Sequence, residues 1–526
     1  MKKKLITILL AASMAVSALT GCGNSSANSG SDKPAAETVT GEEANQEANT
    51  ADAVLKDGEM SEILMVWPGS NASPASLQEV EDAMNEMIAQ KADAKVKLQI
   101  IEWGAYGDQL NLMLSSGEYP DVICYGMNKQ KMVKFAKEGI FVPINDYIDK
   151  YGDNMKRLFE ARPQYEQLSY APDGNIYGFV TANECYHCQA YPKLWYNTEW
   201  LEALGLEEPQ TTEELKDVLL AVKNSDYNGN GKADEIPLTG SKDWDCQLEW
   251  YLLNSFVPVD KDTLSHVEDG KVVFSCNTEE FKQGLAYLNE LYTLGLIDPT
   301  CFTQTSDQMQ QVIRSDKNLV FGYTADHFAM GIDLDDAHLN EVTAAMIPAE
   351  GPNGARWQLH KDYVDMTDGF SWFITDKCEN VEAAFKVGDF LMGDESSMVQ
   401  MYGEEGNYWG KLDTPTESIL QGTEAIYWIK PGFTSNEDDA YQKNTFWSGL
   451  MNQLAEFRAS MSPRPEDMYV SDSYEARLFD ETAKVVPYFY PEYLPKNLFL
   501  EDDTDSETFT TIQTSLREYV KTSIAQ

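Results

Sequence analysis

Between residues 62 and 125 the chain alternates between short apolar runs and helical periodicity, and nothing else in the sequence restricts the fold as strongly. Glu62-Ile-Leu-Met-Val-Trp67 reads as a buried strand stopped by Pro68-Gly69. A helical pattern runs from about Ser73 to Gln90, a second strand covers Lys95 to Trp103, and a second helix lies around Asp108 to Ser116. Asp121-Val-Ile-Cys-Tyr125 makes a third strand. Strands that alternate with helices predict a parallel sheet with helices on its faces. Ligands bind such sheets beyond the carboxyl ends of the strands, and Trp67, Trp103 and Tyr125 stand at or near those ends.

A second unit begins near Pro192. Thr211-x-x-Glu214 is a capping box, and Leu215, Val218, Leu219 and Val222 follow at i, i+3, i+4 and i+7, which predicts a helix. Another amphipathic helix is expected from about Thr278 to Gly295. Gly369-Phe-Ser-Trp-Phe-Ile374 reads as one buried strand, with a helix after it from about Val381 to Met392. About 468 residues follow position 58, too many for a single core and enough for two lobes.

The first 58 residues have a different character. Three lysines precede the apolar run Leu5 to Leu19, and Leu19-Thr20-Gly21-Cys22 follows, which is the layout of a secretory signal peptide. Fifteen residues are too few to span a bilayer comfortably. Residues 22–58 are rich in Ser, Asn, Ala, Gly, Thr and Glu, a composition that cannot bury a core and predicts a flexible tether spanning roughly 30 Å. Loss of residues 1–21 removes three lysines and moves the formal charge from -46 to about -49. Such acidity excludes nucleic acid as a partner, because phosphates would be repelled.

Asp226-Tyr-Asn-Gly-Asn-Gly-Lys-Ala-Asp-Glu-Ile-Pro237 begins like an EF-hand loop, yet Pro237 occupies the twelfth position, where the bidentate glutamate belongs. Three carboxylates and two amide oxygens are hard ligands suited to calcium; the competing reading is an Asn/Gly turn that needs no ion. Seven cysteines remain besides Cys22, so at least one is unpaired, and a mostly reduced set is expected. Cys185-Tyr-His-Cys188 gathers three soft ligands, but no second pair follows at zinc-site spacing. Plain thiols are favoured there over a metal site or a disulfide.

Several segments together resemble one family. They are Pro192-Lys-Leu-Trp-Tyr-Asn197, Trp200-Leu-Glu-Ala-Leu-Gly-Leu206, Pro209-x-Thr211-x-x-Glu214, the loop at 226–237 and Leu291-Tyr-x-x-Gly-Leu-Ile-Asp298-Pro299. With the Leu-Thr-Gly-Cys lipobox, the chain resembles the family 1 extracellular solute-binding proteins, lipid-anchored receptors of carbohydrate ABC importers in Gram-positive bacteria, and is similar to the alginate-oligosaccharide receptors. The resemblance implies an α/β, two-lobed periplasmic-binding-protein-like (type II) fold with crossing hinge strands. One lobe would hold residues 59–180 and 365–410 and the other 181–364 and 411–526, with crossings near Thr181 and Asp365. It also implies acylation of Cys22, a place on the extracellular face of the membrane, an ABC permease as partner and a monomeric chain. Calcium would be held structurally by Asp226, Asn228, Asn230, the Lys232 carbonyl, Asp234 and Glu235, with Glu235 supplying what Pro237 cannot.

Eleven tryptophans and 27 tyrosines suit a ligand whose C–H faces stack on rings. Aromatic candidates at strand ends or in polar loops are Trp67, Trp103, Tyr125, Trp244, Trp250, Trp372 and Trp409. Candidate hydroxyl partners are Asn183, Glu184, Asp245 and Asp368. No nucleophile elbow, zinc-protease helix or phosphate loop occurs, and the five histidines are scattered. The reading is therefore an oligosaccharide receptor without catalysis; the alternatives are a surface carbohydrate-active enzyme and a ligand-sensing partner of a membrane receptor.

Overall fold

The apolar run at 62–67 forms β1 (Ser61–Gly69), whose Ile63, Met65 and Val66 are buried. Helix α1 (Pro74–Ala92) returns the chain to β2 (Ala94–Glu102), and α2 (Trp103–Ser116) leads to β3 (Val122–Ile123). β1 is parallel to both neighbours, in register from Ser61 opposite Ala94 to Gly69 opposite Glu102. As the outer strand of this sheet, β2 would present bare backbone groups, and α1 covers them. Asn85 gives and receives a hydrogen bond with Val96 (2.8 and 2.7 Å), and Glu81 accepts from Leu98 N at 3.0 Å.

The computed structural model describes residues 60–69, 74–316, 318–366, 370–402, 405–406, 409–430, 450, 452–492 and 503–525. The expected signal peptide, Cys22, the tether and Asp368 lie outside them. Among the described residues no helix is long and apolar enough to cross a membrane.

After β3 the chain reaches β4 (Phe179–Val180) and then β5 (Lys193–Asn197), which is buried throughout. Next come β6 (Ile236–Thr239), a hairpin of β7 (Ser265–Glu268) and β8 (Lys271–Phe274), then β9 (Val320–Ala325) and β10 (Thr343–Ala345). These build a second sheet in the order β10-β5-β9-β6, in which β6 and β9 are parallel. Its outer strand β10 is covered by the helix Tyr474–Val485: Glu481 accepts from Ala345 N at 2.9 Å, and Arg477 donates to the Thr343 carbonyl. The expected capping box is present at the helix Thr212–Lys223, with Thr211 and Glu214 bonded reciprocally.

Each sheet has its own apolar core. The first draws on residues 63–182 and 370–392 with Leu450, and the second on residues 191–359 with Val520. The chain crosses between them on β4 and β11 (Phe370–Ser371), which pair antiparallel as a two-stranded link. A third segment runs alongside, where Asn183 bridges Gln453 and Gln453 N donates to the Ala182 carbonyl at 2.8 Å. This is the two-lobed α/β architecture, with crossing strands as its hinge.

Two expectations need correction. The run Gly369–Ile374 is not one strand: β11 ends at Ser371, Trp372 takes φ +59°, and β12 (Phe373–Ile374) joins β3 in the first sheet. The left-handed residue lets the chain leave one sheet for the other. Its ring is buried and donates Nε1 to the Ala384 carbonyl at 3.1 Å, which supplies packing to hold the strained backbone. The lobe boundary at 410 also falls inside β13 (Trp409–Glu417), which pairs with β14 (Glu424–Ile429). Met398, Met401, Trp409, Phe457 and Met461 share one small core, so 394–429 and 455–461 pack together rather than parting at 410.

Candidate functional site

Strand direction locates the cleft. In the first sheet β1, β2 and β3 end on one edge, where the antiparallel β12 begins, so Trp67, Trp103, Tyr125 and Trp372 all lie along that edge. In the second sheet β6 and β9 end together, and Lys193 at the start of β5 pairs with Ala325 at the end of β9. Residues 187–193, 240–247 and 326–331 therefore share one edge. The link strands enter both sheets at these edges, which consequently face each other across the hinge.

A cavity of about 560 Å³ opens beside the hinge, between the segment 184–187, helices Asp394–Tyr402, Ala455–Ser460 and Tyr474–Val485, and β14. Tyr186, Tyr363, Tyr402 and Phe479 contribute rings to its wall. Gln453, Arg458 and Glu475 contribute polar ends; Arg458 donates to Asn183 Oδ1 at 3.2 Å and to Gln453 Oε1 at 2.5 Å. Tyr186 stacks on Phe479 with centroids 4.1 Å apart, and His187 Nδ1 lies 3.4 Å from a Glu475 carboxylate oxygen. Burial, with Lys193 and Arg458 close by, holds His187 well below its usual pKa, so near neutral pH the imidazole beside Glu475 is uncharged.

Lys193 is completely buried and was not singled out from the sequence. Its ammonium donates to the carbonyls of His187 (2.9 Å), Ala190 (2.7 Å) and Asp326 (2.7 Å), so its three protons tie two cleft loops to β5. Burial pulls its pKa down to about 8. The only trace in the sequence is a lysine directly before Leu194, Trp195 and Tyr196.

The model of the family described as bacterial extracellular solute-binding protein matches residues 74–398. The chain belongs to this family. It is 36% identical over 237 residues to the fructooligosaccharide ABC transporter substrate-binding protein FusA of Streptococcus pneumoniae, an alignment covering 42% of this chain and 43% of FusA. The chain therefore spans less than half of that relative. Lipoprotein LipO of Bacillus subtilis is 24% identical over 403 residues, 73% of this chain and 76% of LipO. Among solved structures, FusA in complex with kestose superimposes with a TM-score of 0.70 at 23% identity, covering 88% of this chain and 91% of the other. An alginate-binding protein, AlgQ2 without calcium ion, gives 0.62 at 21% identity, covering 88% and 91%.

The solute-binding protein distributes the sequence candidates unevenly. Trp67, Trp250, Trp372 and Trp409 are all 5% exposed or less and are packed into cores, so these four rings have no free face to stack on a ligand. Trp103 begins α2, and Tyr125 is half-buried at φ +60°. Trp244 is different: it is 72% exposed, and both it and Asp245 hold left-handed backbone, at φ +55° and +52°. The loop is tied from beneath, where the Cys246 carbonyl accepts from Ser241 N (3.0 Å) and Thr324 Oγ1 (2.7 Å). Non-glycine residues are kept in this conformation only where surrounding contacts enforce it, and such residues cluster at ligand sites. Asp245 is clamped by Lys261 (3.3 Å) and Lys361 (3.6 Å), whose ammonium groups also lie 5.7 and 4.3 Å from the Tyr191 ring centroid.

Glu184 lines the cavity, but its carboxylate is already engaged. Arg162 donates to both oxygens (2.8 and 2.9 Å) and Ala455 N to one of them (2.9 Å). The expected role as a hydroxyl partner gives way to a hinge ion pair. Asn183 stays exposed beside it.

Cys185 and Cys188 also depart from expectation: they form a disulfide rather than two thiols. With His187 they are the one group of His, Cys, Asp or Glu side chains among the described residues that converges tightly enough to hold a metal, but the bond consumes both thiolates. Cys124, Cys246, Cys276, Cys301 and Cys378 are free.

The loop 226–235 leaves the helix Thr212–Lys223 and enters β6. Tyr227 stacks on Trp200 at 4.2 Å, while Asp226 accepts from Gly231 N at 3.1 Å and closes the turn. The Asn230 amide donates to Asp234 at 3.0 and 3.2 Å. Glu235 is 5% exposed; Oε1 accepts from Asn228 N at 3.2 Å, and Oε2 is buried without a partner. A buried, unpartnered carboxylate oxygen beside further hard donors fits a divalent cation.

Proposed function

We propose that this solute-binding protein captures an oligosaccharide between its lobes and delivers it to the permease of an ABC importer, while an acylated Cys22 and a tether keep it at the outer face of the membrane. The observation that carries the reading is the hinge cavity, whose rings alternate with Gln453, Arg458 and Glu475. Rings cover the C–H faces of a sugar and planar polar groups grip paired hydroxyls, and the cavity volume lies within the roughly 300–1,000 Å³ usual for ligand sites. Trp244, exposed on a tied loop at the facing sheet edge, would stack on the ligand as the lobes close. The ligands of FusA, fructooligosaccharide by its name and kestose in its complex, support the same class.

The mechanism is a shift between open and closed states. Contacts to both lobes exist only when the cleft is shut, so the ligand favours closure by its differential affinity. Calcium, if bound at 226–235, would offset most of the negative charge of Glu235, Asp234 and Asp226 and fix the turn between helix and strand, a structural role. An EF-hand mutant of FusA is among the similar structures, which supports testing the loop.

The test is a thermal-shift and calorimetric screen of the mature chain against mono- and oligosaccharides, kestose included, with peptides as the counter-panel. Saturable glycan binding without new reaction products is the expected outcome. Peptide binding alone would refute the substrate class, and cleaved glycan would refute the purely receptive role.

A further inference from the structure

The bond between Cys185 and Cys188 sits where a four-residue ring can control the cavity wall. The two residues inside the ring, Tyr186 and His187, both line the cavity. One stacks on Phe479 and the other meets Glu475, so the ring is the contact between the hinge and the helix Tyr474–Val485. Just upstream, Glu184 is fixed by Arg162 and by Gln453 O; just downstream, Ala190 bridges His360 and Lys193 holds the His187 carbonyl. The ring is thus pinned at both ends, and the disulfide closes the stretch between.

The two cysteines differ in burial. Cys185 is 2% exposed with its sulfur 3.5 and 3.6 Å from the His187 ring nitrogens, whereas Cys188 is only half-buried. Of the other described cysteines four are buried and Cys276 is half-buried, and all five are thiols. Thiol–disulfide exchange goes through an accessible sulfur.

We infer that the Cys185–Cys188 disulfide is a positioning element of the ligand site and makes its affinity responsive to dithiols. This rests on the proposed oligosaccharide role. A thiolate attacks Cys188 Sγ, the sulfur–sulfur bond breaks, and Cys185 leaves as thiolate and takes up a proton. The second thiolate of the reductant then attacks the mixed disulfide, freeing Cys188 as a protonated thiol. Two electrons and two protons pass to the protein, and the reductant leaves as its own cyclic disulfide. With the ring open, Tyr186 and His187 lose the constraint that aims them at the cavity, and a ligand must then order them on binding.

The experiment uses the full mature chain with dithiothreitol as the dithiol and kestose as the ligand probe. Native treatment followed by alkylation and peptide mapping is expected to label Cys188 only when the reductant is present, whereas labelling of Cys276, already a thiol, does not depend on it. Hydrogen exchange over 184–190 and 474–479 is expected to speed up about ten-fold while 226–235 is unchanged. Kestose affinity is expected to fall about ten-fold. Cys185→Ser/Cys188→Ser should match the reduced chain and ignore the reductant. Resistance of the bond to native reduction, or reduction with unchanged exchange in both segments, would overturn the inference. Faster exchange in a chain that binds no glycan in either state would instead count against the oligosaccharide reading and leave the positioning role standing.

Discussion

Arg162→Ala should destabilise the protein far more than loss of its other partner. Arg162 joins three segments far apart in the chain: its own turn in the first lobe, Glu184 just past β4, and Glu456 at the start of the helix Ala455–Ser460. The Glu184 side chain is completely buried, whereas that of Glu456 is 60% exposed. Removing Arg162 leaves a buried carboxylate with one backbone donor, Ala455 N. Breaking a buried pair in this way costs about 3–5 kcal/mol, and the partial exposure of Arg162 puts the expected value near 3. Glu456→Gln removes only the exposed arm, worth about 0–1 kcal/mol. Urea unfolding followed by tryptophan fluorescence and circular dichroism reads both; with a slope of ~3 kcal/mol/M, Arg162→Ala should lower the midpoint by about 1 M. Arg162→Ala with Glu184→Leu should cost less than the sum of the singles, because the charge left bare by the first change is removed by the second. Equal costs for Arg162→Ala and Glu456→Gln, or a loss below about 1 kcal/mol for Arg162→Ala, would refute the reasoning.

Calcium at a hundred times its dissociation constant should add about 2.7 kcal/mol to stability, lost with EGTA and absent in Glu235→Gln; a melt indifferent to calcium would remove the site. Trp244→Ala should weaken glycan binding by about ten-fold with little change in melting temperature, since the ring is exposed in the free chain, and calorimetry beside a melt separates the two effects. Burial raises Glu249 from 4.5 to about 7, so its neutral form favours the folded state; the stability it contributes is full below pH 4.5 and is lost as pH rises through about 7. Glu249→Gln should accordingly stabilise the protein by about 1–3 kcal/mol at pH 8 and have little effect at pH 4.5, measured as urea midpoints at both values. Trp372→Ala should cost about 3–5 kcal/mol, read in the same assay, because a filled core site and a strained backbone lose their support together.

Much of the architecture was legible because it rests on local signals. Short apolar runs and a helical pattern marked β1, α1 and β2 within a residue or two, and the capping box at Thr211 and Glu214 formed as read. The strand expected over 369–374 failed for a tertiary reason. Phe370, Trp372, Phe373 and Ile374 are all buried, and Ser371 is buried with them, so the pattern is the same whether the run belongs to one sheet or divides between two at Trp372. The disulfide was missed on similar grounds, since spacing places two sulfurs near each other without saying whether the backbone turns them together.

By itself the sequence determined the parallel βαβαβ start, the need for two lobes and the hard-donor loop at 226–235, because propensity, periodicity and ligand spacing are properties of neighbours along the chain, and its local motifs carried the resemblance to the family. Only the tertiary structure decided which aromatics are buried and which stay exposed. Trp244 and Trp372 both sit at sheet edges and both have φ near +55 to +59°, yet one ring stands in solvent and the other in a core. It likewise gave Glu184 to Arg162 rather than to a ligand and put Lys193 at the junction of two loops. These outcomes depend on desolvation and on partners up to 294 residues apart, which no local window contains.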